Sequence, residues 1–180
     1  MPICHTKDLI VEHFDNTLYR ALESYSASST EPTLASAHHA LTIDWAIWNR
    51  VNTDYLLLLD SDIIFKQSFK EYYVQFVQGH YALMGFRRDT YRMPTIAPWC
   101  CFINIKLMKQ YNLRYFDINR ILFVNGNTDY DTGASLLEDF EQRHCLVKTH
   151  PDNLYTIHLK CGSNNPQKHE QFILKNRQYL

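Results

Sequence analysis

A chain of 180 residues, 46% of them hydrophobic, has the size and apolar content of one domain with a sizeable core, and its formal net charge of −1 excludes a long electrostatic track for nucleic acid. Its five cysteines are odd in number and contain no CxxC pair, which argues against a disulfide framework or a zinc ribbon and for reduced thiols in a cytoplasmic protein. No apolar stretch is long enough to span a membrane and the first residues lack the pattern of a secretory leader, so a soluble chain is expected, with peripheral membrane association left open.

Leu9 to Phe14 reads as a short strand ending at Asp15-Asn16, and Thr17 to Tyr25 as a helix or a loop. Ser26 to Ser36 is rich in Ser, Thr and Ala and reads as loop. Leu41, Trp45 and Trp48 recur at helical spacing, so Ala37 to Arg50 is expected to be a helix with Ser36 at its start. Tyr55 to Leu59 is an unbroken apolar run, the pattern of a strand with both faces covered, and a central place in a sheet is expected for it.

Ser68 to Gln78 reads as a helix closed by Gly79, and Tyr81 to Phe86 as a strand. Arg87 to Pro98 reads as an irregular basic loop, Trp99 to Ile105 as a strand, and Ile105 to Tyr111 as a short helix. Asp131-Thr132-Gly133 is expected to open a helix running to about Arg143. Cys145 to Thr149 and Tyr155 to Leu159 read as further strands, and residues from Asn164 onward as a polar tail with a helix from His169. Strands alternating with helices predict an α/β layer architecture in a domain over residues 1–163.

The chemistry concentrates at Asp60-Ser61-Asp62, directly after the apolar run. In open α/β sheets ligands bind outside the carboxyl ends of strands. Two carboxylates one residue apart at that position can share a hard divalent cation, which takes oxygen ligands and can in turn hold a diphosphate. The plainer reading is a strand-end turn in which Asp62 caps the next element. His158, followed by the loop signal Gly162-Ser163, is either a structural histidine or an imidazole ligand that would give Mn²⁺ a mixed nitrogen and oxygen set.

Asp129 and Asp131 offer either a helix cap or a general base for an acceptor hydroxyl. His38, beside His39 near the expected helix start, is placed to bond a phosphate or ribose, or is simply exposed. Asp15 and Asn16 could meet a base or ribose at a sheet edge, or form a turn. Arg87, Arg88 and Arg92 suit phosphate but are as readily solvated loop charges, and Trp99 could stack on a sugar face or belong to the core.

Taken in order, the pieces resemble glycosyltransferases of the GT-A fold in the broad family-2-like group. The carriers are His38-His39-Ala40-Leu41 through Asn52-Thr53-Asp54 to Asp60-Ser61-Asp62, then Trp99 to Asn104, Asp131 to Leu137, and His158 with Gly162-Ser163. The resemblance implies a GT-A sandwich with a mixed, mostly parallel sheet, a nucleotide-sugar donor and a saccharide or glycolipid acceptor. It implies Asp62 and His158 as Mn²⁺ or Mg²⁺ ligands, with Asp60 on metal-bound water or the donor ribose. Asp15 would lie near the nucleotide base, and Asp131 or Asp129 would act as the base. Two departures accompany it: the first βα unit is expected to be missing or shortened, and the usual Glu-Asp pair before the catalytic-side helix is absent. The rival readings are a haloacid-dehalogenase-type phosphatase, which also ends a strand in Asp-x-Asp, and a non-catalytic nucleotide-sugar-binding module.

Overall fold

The computed structural model describes residues 33–60, 62–89, 93–117, 120, 132–152, 154–159 and 166–179. In chain order these carry α1 (Thr33–Asn49), β1 (Tyr55–Leu59), β2 (Ile63–Phe65), α2 (Phe69–Gln78), β3 (Leu83–Arg88), β4 (Thr95–Asn104), α3 (Ile105–Gln110), α4 (Ala134–Gln142), β5 (Val147–His150), β6 (Thr156–His158), α5 (Pro166–Lys175) and a 3₁₀ turn (Arg177–Tyr179). The strand expected over Leu9 to Phe14 lies outside the described residues.

The fold is α/β with a mixed sheet. Four strands pair in the order β1-β4-β3-β5, and β2 and β6 form a separate two-stranded ribbon. Strand β4 is antiparallel to both β1 and β3, while β3 and β5 are parallel. β1, β3 and β5 therefore point the same way, and only β4 runs against them. Because β4 lies between β1 and β3, two of the three hydrogen-bonded pairings are antiparallel although three of the four strands share a direction.

The apolar run of β1 is explained by its two faces. Leu56 and Leu58 pack on one core cluster, with Ile43 and Ile47 of α1, Met108 of α3 and Leu136, Leu137 and Phe140 of α4. Tyr55 and Leu57 pack on the other, around Tyr72 and Phe76 of α2. The same alternation runs through β4, where Cys101 and Ile103 face the first cluster and Cys100 and Phe102 the second. Helices thus cover both sheet faces. The expectation that β1 is central is corrected among the described strands, where it is outermost on its side. A continuous apolar run reports covered faces and says nothing about paired edges.

Local chemistry sets most boundaries. α2 begins where the Ser68 hydroxyl accepts the Lys70 backbone N–H at 3.3 Å, and Tyr72 and Phe76, one turn apart, are its buried stripe. α1 starts at Thr33, directly after Pro32 in the sequence, so Ser36 and His38 lie inside the helix rather than at its amino end. Helix formers at Leu34 and Ala35 extend it past the Ser36 start expected from cap preference. α4 begins at Ala134 with Gly133 in the cap position, not Asp131; at φ 79° Gly133 occupies the left-handed region, which costs glycine little.

The basic stretch is also corrected. Arg87 and Arg88 belong to β3, and residues 95–98 to β4. Arg87 is held on the strand by ion pairs to Asp89 and to Glu141 of α4. Pro98 is tolerated within β4 because the register shifts there: Gly85 faces Cys101 but Arg87 faces Ile96, which leaves Ala97 to Cys100 in a bulge. A Cβ at Gly85 would lie 2.5 Å from Ile96 Cγ2 and 3.2 Å from the Cys100 carbonyl oxygen, so this close backbone approach requires glycine.

One tether has no sequence signal. Asp44 on α1, 8% exposed, accepts the Tyr115 backbone N–H at 2.7 Å and an Arg114 N–H at 3.1 Å, joining α1 to the segment after α3. Burial raises its pKa, and the bonds from Tyr115 and Arg114 oppose that rise.

Candidate metal centre

The site grows out of the end of β1. Register pairs Leu59 with Cys100, and the next residue, Asp60, donates its backbone N–H to the Trp99 carbonyl at 2.9 Å. The chain turns at Asp62 and enters β2, whose Ile63 lies opposite His158 of β6. Two backbone bonds close the ribbon: Leu159 N–H to the Asp62 carbonyl at 3.2 Å and Lys66 N–H to the Tyr155 carbonyl at 2.9 Å. A short strand pairing thereby sets a histidine from late in the sequence beside the Asp-x-Asp turn.

The side chains converge. His158 Nε2 is 3.1 Å from Asp62 Oδ1 and 3.7 Å from Asp60 Oδ2. One donor atom from each of Asp60, Asp62 and His158 lies within 4.8 Å of the other two. The side chains of Asp62 and His158 are only 7% and 10% exposed, while that of Asp60, at 30%, forms the more open side. His158 Nδ1 is buried without a hydrogen-bond partner among the described residues.

This donor set fits a divalent cation. Separations of 3.1 and 3.7 Å approach the roughly 3 Å edge of an octahedron with bonds of ~2.1 Å. Two carboxylate oxygens and one imidazole nitrogen suit Mn²⁺, and three protein ligands leave positions for oxygens of a bound anion. Near-complete removal of Asp62 from water beside a second carboxylate is unfavourable without a compensating positive charge.

Other groups lie at the same sheet edge, where β1, β3 and β5 end. The Trp99 ring stacks on the His158 imidazole, with centroids 4.8 Å apart and planes at 15°, and the Arg88 guanidinium lies 5.4 Å from the Trp99 centroid. The sequence places Trp99 on a sugar face or in the core; in the structure it is half-buried and stacks on a residue of the site. Of the other sequence-selected residues, Asp15, Asn16, Ser61, Arg92, Asp129 and Asp131 lie outside the described residues, and His38 is placed on α1 without its side chain being described. β6 is a strand as expected, but its separation from the main sheet into a ribbon with β2 has no counterpart in the sequence reading.

Cys100 and Cys101 are buried free thiols. Burial pushes the Cys100 pKa up to about 12 and that of Cys101 higher still, with Cys100 and Asp60 adding to the latter rise, so both stay as unreactive thiols.

Behind the site, His150 at the end of β5 is held neutral. Its Nδ1–H donates to the Pro151 carbonyl at 2.9 Å, and its Nε2 accepts from the hydroxyl of buried Tyr72, whose ring stacks on Tyr155 just before β6. Burial lowers the His150 pKa from its ordinary 6.5, against opposing effects of the Pro151 bond and Asp152. The unfolded chain therefore binds the extra proton as the pH falls through about 6.5, while the folded chain does not until lower pH, so stability declines over that window. Thermal melts between pH 7.5 and 5 are expected to show this decline, with a smaller one in His150→Gln; equal slopes would remove His150 as its source.

Comparison with known protein families finds no matching family, and comparison with curated protein sequences finds no relative. Among the described residues, no helix is long and apolar enough to cross a membrane.

Proposed function

We propose that this chain is a metal-dependent glycosyltransferase that moves a sugar from a nucleotide-diphosphate donor to a hydroxyl of a saccharide or glycolipid. The carrying observation is the convergence of Asp60, Asp62 and His158 at the carboxyl end of β1, built by two segments far apart in sequence. Asp62 and His158 would hold the cation from the buried side, and Asp60 from the open side. A bound divalent cation supplies positive charge against the diphosphate as the sugar–phosphate bond breaks. Asp131 or Asp129 takes the acceptor's hydroxyl proton for in-line attack. A mixed α/β sheet with the candidate ligands at the carboxyl end of β1 supports the reading at the level of fold class, although two of the three described pairings are antiparallel where the resemblance implied a mostly parallel sheet.

The test is calorimetric titration with UDP-, GDP- and dTDP-sugars, with and without Mn²⁺. Binding of one nucleotide class that depends on the cation is expected, followed by transfer to an acceptor or slow hydrolysis of the donor. Binding without any turnover would reassign the chain as a nucleotide-sugar-binding module. An Asp60 trapped as a fluoride-complexed phosphoenzyme mimic would reassign it as a phosphatase.

A further inference from the structure

Two of the three candidate cation ligands meet at one residue that is itself no ligand. Trp99 accepts the Asp60 backbone N–H at its carbonyl, 2.9 Å away, and stacks its indole on the His158 imidazole. Asp60 follows a strand of the main sheet and His158 ends a strand of the separate ribbon. Trp99 reaches both because its carbonyl continues the β1–β4 pairing one residue past Leu59 and Cys100 while its ring lies on His158. Asp62 is already tied to the ribbon through the Leu159 N–H, so the Asp60-to-His158 relation is the one that spans the two sheets.

We infer that Trp99 is a positioning residue for the cation site: its ring fixes the plane of the His158 imidazole, and its carbonyl fixes Asp60, so that both donors face the same point. The inference rests on the cation-site reading of Asp60, Asp62 and His158. Asp62 Oδ1 lies 3.1 Å from Nε2 of this imidazole while Nδ1 lacks a partner among the described residues, so a single polar contact leaves the ring free to turn about it and the stack on Trp99 sets its plane. Groups that orient a metal-binding histidine without touching the metal typically change affinity by about 10–100-fold when removed. Here the orienting group is an aromatic face rather than a carboxylate or carbonyl.

The experiment uses the full chain and Mn²⁺ alone, with free ion counted by electron paramagnetic resonance. Trp99→Leu is expected to weaken Mn²⁺ binding about tenfold or more, and Trp99→Phe, which keeps a flat ring, to stay within about threefold of wild type. Tryptophan fluorescence supplies a second readout. Mn²⁺ is expected to quench the wild-type signal, and the quench is expected to vanish in Trp99→Phe while binding persists, since Trp45 and Trp48 lie on α1. Binding by folded Trp99→Leu within twofold of wild type would overturn the positioning role and leave the cation site standing. Wild-type Mn²⁺ binding no tighter than that of Asp62→Ala would overturn the cation site, and the inference with it. Should Trp99→Leu fail to fold, Trp99→Met takes its place: a loss of about tenfold or more is expected of this flexible, ringless side chain, and binding by the folded variant within twofold of wild type overturns the positioning role.

Discussion

Replacing Asp62 with alanine is expected to lower Mn²⁺ affinity by about 100-fold or more and to abolish cation-dependent binding of nucleotide sugars. The magnitude reflects loss of a direct carboxylate ligand, which exceeds the 10–100-fold typical of groups one shell further out. Two substitutions separate the ligand role from a structural one. In the cation-free protein, Asp62 Oδ1 lies 3.1 Å from His158 Nε2, close enough to accept its N–H. Asp62→Asn keeps an acceptor oxygen there but loses the charge. Asp62→Ala loses both and leaves His158 without either ring nitrogen satisfied by a described residue, a defect worth about 1–3 kcal/mol. Both variants should lose the cation, while only alanine should lower apo stability. Thermal melts with and without Mn²⁺ read both effects, because a ligand at 100 times its Kd adds about 2.7 kcal/mol to the form that binds it. Wild-type Mn²⁺ stabilisation persisting in either variant would sink the site assignment.

The features legible in the sequence are mostly local. The cap at Ser68, the stop at Gly79 and the unbroken run Tyr55 to Leu59 each carry their signal within a few residues, and the structure has α2 and β1 at those bounds. Sequence and structure part where distant partners decide. Arg87 and Arg88 look like loop charges until Glu141 of α4 and the Trp99 ring are beside them. Pro98 looks like a strand breaker until the bulge opposite Gly85 and Arg87 removes the need for its N–H. Strand β2 is three residues long and is defined by a partner at the far end of the sequence, so no window could reveal it.

The candidate site divides along the same line. Asp60 and Asp62 are legible because carboxylates at the end of an apolar strand are costly unless used. His158 is legible by residue type alone; what brings it to the aspartates is the Ile63–His158 register, which depends on the fold. Trp99's contact with two of the three ligands depends on the β1–β4 pairing and on the ribbon that carries His158, and the Asp44 tether depends on where Tyr115 points its N–H. Neither has a sequence signature.

The core beneath the site supplies the second large effect. Phe102, 2% exposed on β4, is where the rings of α2 converge: Phe69 at 5.0 Å, Tyr72 at 5.1 Å, Tyr73 at 5.9 Å and Phe76 stacked at 5.0 Å. Phe102→Ala removes the common partner of four rings that are also held by their own helix, so the void cannot close by local collapse. The expected cost is about 3–5 kcal/mol, a large share of the 5–15 kcal/mol typical of a whole domain. Leu59→Ala, at a side chain 39% exposed, is the matched control and should stay within about 0.5 kcal/mol. Denaturant unfolding of the two variants measures both, and a Phe102→Ala cost below about 1 kcal/mol would mean that these rings are not a close-packed layer. The cavity should also reach the site. Tyr72 stacks on Tyr155 at 4.1 Å, and Tyr155 leads directly into the strand that ends in His158. Loosening Tyr72 therefore loosens the ribbon, and Mn²⁺ affinity should fall in Phe102→Ala even under conditions where the variant remains folded. Asp60, anchored to β4 through the Trp99 carbonyl, should be affected less than His158, so the weakened site should lose its imidazole ligand before the Asp60 carboxylate.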